Sequence, residues 1–312
     1  LGIILNYMSK SFLLILLTAL HFAVAAKAGE PLYRHFPPIN AYSAGMGFAG
    51  GVVWEDPSVV FWNPAGLALL DQMSAEVTLA GPKAAMPSSW SILVANSAAA
   101  GESRFGFGFL RRHSLDDIGE YCSFQVVMPL SYGFGSGKLP FGVTMKFASE
   151  RYDDRDDWTY GVLFDVGLLW RIADGFAIGA SRLNIVGSAL SSFQPESWLS
   201  AEIGAETSPV IIAAQTRFDA PSDKAFMQAN YSLGARLDFG RKAPGLRGGY
   251  LKREGITWFA GGFGWINLDA NTSIEYSLLV QADDQTNRAH FLTYGYSLKP
   301  RTKKPTAGTY TF

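Results

Sequence analysis

The sequence predicts an all-β fold: a transmembrane antiparallel β-barrel of about 14 strands with an N-terminal plug or hatch segment. Three observations predict it. The N-terminus has the pattern of an export signal, the composition is apolar with no run of membrane-helix length after that signal, and most of the chain alternates with period two.

At the start, Met8-Ser9-Lys10 precede an apolar run from Phe12 to Ala26, and Ala26-Lys27-Ala28 supplies an A-x-A-like cleavage site. This reads as a secretory signal peptide over residues 1–28, with a mature start near Gly29. Leu1 to Tyr7 read as lying ahead of the initiator or as an extended n-region. The apolar run is short for a spanning helix. An uncleaved anchor is the alternative, and the small-residue cleavage pattern argues against it.

Hydrophobic residues make up 48% of the chain, aromatic residues 14% and charged residues 17%, a greasy balance for a soluble domain. A net charge of −1 gives no electrostatic case for nucleic acid. The lone Cys122 excludes an internal disulfide framework, and its expected place is the apolar outer face of a strand. Stability must then come from a closed sheet and its lipid-facing surface.

The wall is expected over residues 73–298. Side chains on a strand point alternately to opposite faces, so a barrel wall should read apolar-out and polar-or-small-in. Phe141, Val143, Met145 and Phe147 alternate with Gly142, Thr144, Lys146 and Ala148. Tyr231, Leu233, Ala235 and Leu237 alternate with Ser232, Gly234, Arg236 and Asp238. The same pattern runs through Phe105–Phe109, Trp158–Arg171 and Ser273–Val280. Strands are expected to begin near Met73, Ser88, Arg104, Tyr121, Phe141, Trp158, Phe176, Leu199, Val210, Asn230, Leu246, Thr257, Thr272 and His290. The stretch 176–185 slips phase near Arg182, as at a β-bulge. A soluble β-sandwich or lipocalin-like barrel would turn these apolar faces inward; so many bulky rings opposite charged partners suit lipid better.

With the N-terminus in the periplasm, the outer connections are Arg111–Gly119, Arg151–Asp157, Val186–Ser197, Asp219–Met227 and Ala282–Asn287, all long or polar. The inner ones, Ile172–Gly175, Ser208-Pro209, Gly240–Pro244 and Asn267–Ala270, are short, as bacterial barrels require. Trp90, Tyr132, Tyr152, Trp158, Trp170, Trp198, Tyr250 and Trp265 fall near strand ends and suit aromatic girdles at the membrane boundaries. Residues 299–312 read as a basic periplasmic tail; the alternative is that Thr309–Phe312 folds back as a terminal recognition end.

The plug is expected over residues 29–72, centred on Ser43–Leu70. Its pattern Ala44-Gly45-Met46-Gly47, then Asp56-Pro57-Ser58, then Phe61-Trp62-Asn63-Pro64-Ala65-Gly66-Leu67 resembles the amino-terminal signature of the FadL-like and PorV/PorQ-like outer-membrane proteins. The resemblance implies a fourteen-stranded barrel with an N-terminal hatch in the bacterial cell outer membrane. For the FadL-like branch it further implies passive transport of hydrophobic or amphipathic molecules such as long-chain fatty acids. The PorV/PorQ-like alternative is a secretion-system barrel that binds cargo or partner proteins. Gly45-x-Gly47-x-x-Gly50 also spells the dinucleotide fingerprint, but His35-Phe36-Pro37-Pro38-Ile39-Asn40 cannot supply the buried strand that fingerprint needs.

No catalytic constellation is visible, and neither HExxH nor CxxC occurs, so the sequence points to a non-enzyme without cofactor or metal. The acidic run Asp153–Asp157 lacks the spacing and glycine of an EF-hand loop and contains Arg155; it reads as a solvated outer loop. The candidate plug or gate motif is Gly45, Gly47, Gly50, Asn63, Pro64, Ala65 and Gly66. Phe48, Trp54, Phe61 and Trp62 are candidates to line an apolar slot, with Lys146 or Arg217 meeting a ligand carboxylate. The competing expectation is that the inward charges pair with one another and that the rings pack the plug against the wall. Expected partners are outer-membrane lipid, a hydrophobic small molecule and, in the alternative, secretion-system proteins.

Overall fold

A computed structural model describes residues 39–49, 52, 57–70, 73–81, 89–96, 103–116, 119–134, 138–152, 158–186, 197–207, 209–220, 230–238, 244–253, 255–267, 271–284 and 288–297. The expected signal peptide, the basic tail, Gly50 and Trp54 lie outside the described residues.

Fourteen antiparallel strands close into one barrel. They are β1 (Ser74–Gly81), β2 (Ser89–Asn96), β3 (Ser103–Asp116), β4 (Gly119–Phe134), β5 (Leu139–Tyr152), β6 (Thr159–Ala173) and β7 (Phe176–Val186). They continue as β8 (Ser197–Thr207), β9 (Val210–Ala220), β10 (Asn230–Leu237), β11 (Gly245–Arg253), β12 (Ile256–Asn267), β13 (Thr272–Gln281) and β14 (Arg288–Ser297). Each begins within two residues of its expected start. Every strand pairs with its sequence neighbour, and β1 meets β14 from Ser74↔Ser297 to Gly81↔His290.

The alternation sorts side chains as expected. Leu233 is 51% exposed and Phe141 40%, whereas Ser232 is 7% exposed and Lys146 4%. Large apolar groups thus cover the outside while serines, threonines and charges line the inside, the reverse of a water-soluble barrel. Cys122 shares the outward parity of Phe124, Val126 and Leu130 on β4 and is buried there. No described helix is long and apolar enough to cross a membrane, which says nothing of crossing by strands.

The structure corrects several details. Arg151, Tyr152, Ile172, Ala173, Val186, Ser197, Asp219, Ala220 and Asn267, expected in connections, belong to strands. Arg111–Asp116 and Gly119 are paired strand, because the β3–β4 ladder continues through His113↔Cys122 to Asp116↔Gly119. The charged residues there sit on a hairpin, and their polarity had suggested a loop. Trp198 is no lipid-facing girdle residue. Leu199 and Ile203 take the outer face of β8, so Trp198 turns inward with Ser200 and Glu202.

The phase slip near Arg182 is a bulge. Phe164 faces Ile185 while Val166 faces Arg182, so β7 carries one residue more than β6 over that step. Asn184 absorbs it at φ 55, a left-handed conformation that asparagine tolerates better than most residues.

Candidate functional site

The residues of the glycine-rich motif fold as a short helix and two 3₁₀ turns lying against the inward face of the wall. α1 (Ala41–Gly45) starts on Asn40, whose side chain accepts from the Ser43 N–H at 2.8 Å. Four further ties hold this half to β1, β2, β13 and β14. Asn40 Nδ2 donates to Glu76 at 3.1 Å, and the Ala41 N–H to Thr293 Oγ1 at 2.7 Å. Ser277 donates to the Ala41 carbonyl at 2.6 Å, and Ser91 to that of Ile39 at 2.8 Å. The Tyr42 ring lies beneath two guanidiniums, with Arg236 Cζ 5.2 Å and Arg247 Cζ 4.6 Å from its centroid. Each cation has its own carboxylate, Asp238 at 2.8 Å and Glu275 at 3.3 Å. Gly47 takes φ +62, and a Cβ there would meet the Tyr250 backbone, so the position requires glycine.

The second half runs through the 3₁₀ turns Pro57–Phe61 and Pro64–Leu69. Asn63 caps the latter: its Oδ1 accepts from the Ala65 N–H at 3.1 Å, and Pro64, which has no N–H to satisfy, follows at the first position. Its other side-chain atom reaches the wall. Asn63 Nδ2 donates to the Leu168 carbonyl at 3.2 Å and to Glu202 Oε2 at 3.3 Å. Beside it, Ser181 donates to the Trp62 carbonyl at 2.7 Å. The wall is hollowed to fit, since a Cβ at Gly142 would collide with Pro64 and one at Gly167 with Asn63. Ala65 is buried in an apolar cluster with Tyr42, Met46, Leu169 and Ile211, and Gly66 lies against Val59.

The structure brings together most of the sequence-predicted slot. Phe48 packs on Trp62 at 5.5 Å between ring centroids and on Phe291 at 6.0 Å. Phe61 joins the same buried cluster. The two candidate cations part company. Lys146 is paired with Asp165 at 2.6 Å and donates to Asn184 Oδ1 at 3.0 Å, while the Asn184 N–H donates to Asp165 at 2.8 Å, so this cation is occupied at the bulge. Arg217 instead lies over Trp62, its Cζ 4.3 Å from the ring centroid, and donates to Gln215 at 3.0 Å.

The sequence read Glu202 as one of the inward charges, and Gln215 was not singled out. Glu202 accepts from Ser200, Gln215 and Asn63 at 2.9, 2.9 and 3.3 Å. The inward parity of β8 and β9 was legible, but nothing local marked which inward residue would meet Asn63. Among the described residues no group of histidines, cysteines and carboxylates could hold a metal ion. Phe48, Phe61 and Trp62 are buried in one apolar cluster, with the Arg217 guanidinium over the Trp62 ring.

No protein-family model matches the sequence, and no curated protein matches it. Solved structures do resemble the fold. A FadL homologue from Pseudomonas aeruginosa superposes with a TM-score of 0.59 at 11% identity, covering 82% of this chain and 98% of that one. The Pseudomonas putida toluene transporter TodX gives a TM-score of 0.59 at 13% identity over 87% of this chain and 98% of its own. A deltaS2 mutant of TodX, described as a monoaromatic hydrocarbon channel, gives 0.58 at 12% identity, covering 84% and 97%. With its closed fourteen-stranded wall, apolar outside and polar inside, the chain has the fold of a FadL-like outer-membrane β-barrel.

Proposed function

We propose that the protein is an outer-membrane conduit through which hydrophobic or amphipathic small molecules, long-chain fatty acids among them, pass down their gradient without nucleotide or cofactor. The observation that carries this reading is a segment seated in glycine hollows of the wall and tied there through Asn63, next to a buried aromatic cluster. Contacts of that kind close a passage and can still be exchanged for others. The fold shared with a toluene transporter supports the same class of cargo.

In this reading the cargo lands among the outer connections and slides beside Phe48, Phe61 and Trp62. Its polar end meets Arg217; Lys146, paired with Asp165, keeps the bulge in shape. Movement of Gly45, Gly47 and Gly50 and of Asn63-Pro64-Ala65-Gly66 opens the way, with the bulge near Arg182 as a lateral exit.

Mass spectrometry of small molecules retained after mild detergent extraction, together with uptake in a deletion strain, tests this. Retained amphiphiles and reduced uptake are expected. Unchanged uptake with loss of surface-exposed proteins would replace the conduit with the secretion-system reading.

A further inference from the structure

The outward face of the wall is apolar over most of its height, yet two arginines lie on it near one end. Arg111 on β3 shares the outward parity of Phe107 and Phe109, and Arg151 on β5 that of Phe147. Both guanidiniums lie over rings. Arg111 Cζ is 5.8 Å from the Phe124 centroid, and Arg151 Cζ is 5.5 Å from that of Trp158.

The rings form one ladder across the strands. Trp90 stacks on Phe109 at 5.1 Å between centroids, Phe109 meets Phe124 at 6.1 Å, and Phe124 meets Trp158 at 5.7 Å. Register builds it: Trp90 faces Arg111, Arg111 faces Phe124, and Phe124 faces Ser149. Ser149 is short and leaves the Trp158 ring room to reach across β5. Two residues along β5, Arg151 faces Cys122. The two arginines thus flank the Phe124–Trp158 pair.

A guanidinium over a ring turns its face to the ring and keeps the N–H groups of its edge for acceptors. That edge matches phosphate oxygens in both geometry and charge. Trp90 Nε1 adds a donor that is buried with no hydrogen-bond partner among the described residues, and an indole can only donate. The other end of the wall differs. Trp170 and Trp265 are half exposed there, and among the described residues no cation lies over either ring. Rings capped by arginine therefore mark one membrane boundary, the one that carries the longer connections and reads as the outer one.

From the arginines towards mid-wall, β3 and β5 expose Phe105, Phe107 and Phe147. A free phosphate ion would use the arginines alone. A phosphorylated lipid uses both surfaces, its headgroup on the cations and its acyl chains on the rings. We propose that Arg111 and Arg151 dock the phosphate groups of an outer-leaflet lipid on the Phe124–Trp158 platform, with Trp90 as a further donor at its edge. The site lies on the outside of the wall and is independent of the conduit reading.

The test uses the full mature chain in a neutral detergent. The probes are a diphosphorylated, acylated disaccharide lipid, the same lipid stripped of its phosphates, and inorganic phosphate. Titration followed by native mass spectrometry should show the phosphorylated lipid bound at least about tenfold tighter than the stripped one. Arg111→Gln combined with Arg151→Gln should erase that preference. Lys252→Gln, an exposed outward cation across the ring on β11, should leave it within about twofold. Should the double variant not fold, Arg111→Lys combined with Arg151→Lys keeps the charges but loses the planar fork, and should weaken the phosphorylated lipid by about threefold or more. Equal binding of the two lipids, or a preference that survives loss of both arginines, overturns the proposal. An equal loss in Lys252→Gln shows general charge attraction and overturns the site. Inorganic phosphate that binds as tightly as the phosphorylated lipid shows a free-ion site and overturns lipid docking.

Discussion

Lys146 and Asp165 face each other from adjacent strands at 4% and 0% exposure, and Asn184 of the bulge completes their hydrogen bonds. Removing one charge of such a pair strands the other in a poorly solvated place. Asp165→Asn is therefore expected to destabilise the barrel by about 3–5 kcal/mol, read from urea unfolding of the reconstituted protein. Replacing both residues by apolar ones should recover most of that loss. Period-two alternation had already turned Lys146 and Arg217 inward. It could not say that one would pair directly with a carboxylate and the other lie over an indole with its hydrogen bond on an amide. That distinction depends on register between strands and on a one-residue bulge, neither of which is written in a local pattern.

At the scale of elements, the strands were legible and the inner segment only partly so. Strand positions followed from alternation alone because each strand has one face in lipid and one in a polar lumen. The β3–β4 hairpin was harder to read, since Arg111, Arg112 and His113 continue a strand in residues that also suit a loop. Trp198 was misplaced for a related reason: an aromatic residue at a strand end satisfies either face. For the inner segment, the motif Asn63-Pro64-Ala65-Gly66 signalled a turn, but the hollows that receive it lie far along the chain at Gly142 and Gly167. Those hollows give a direct test. Gly142→Leu puts side-chain atoms where Pro64 and Ala65 lie, with backbone on the colliding side, so the segment must shift. The barrel should still migrate as a folded species, while proteolysis within 57–70 and single-channel conductance both rise. Unchanged conductance would show that these turns do not obstruct the passage.

For the whole molecule, the outward apolar surface and the fold shared with outer-membrane barrels make a quantitative demand. Leu233, half exposed in the midst of β10, should lose about 2–4 kcal/mol of stability on substitution by arginine if it meets acyl chains near mid-depth. The effect should be read from unfolding titrations in phospholipid vesicles. A water-facing leucine would give nearly none.

The pairing of β1 with β14 carries a consequence for how such a molecule comes into being. Until Arg288–Ser297 has emerged and found Ser74–Gly81, the growing sheet has two raw borders, each able to recruit a stranger's backbone. A ring of this kind cannot mature piecemeal as its polypeptide is delivered. Its last stitch joins segments from opposite ends of the wall, which makes maturation slow and leaves the nascent chain in need of escort until the circle is shut.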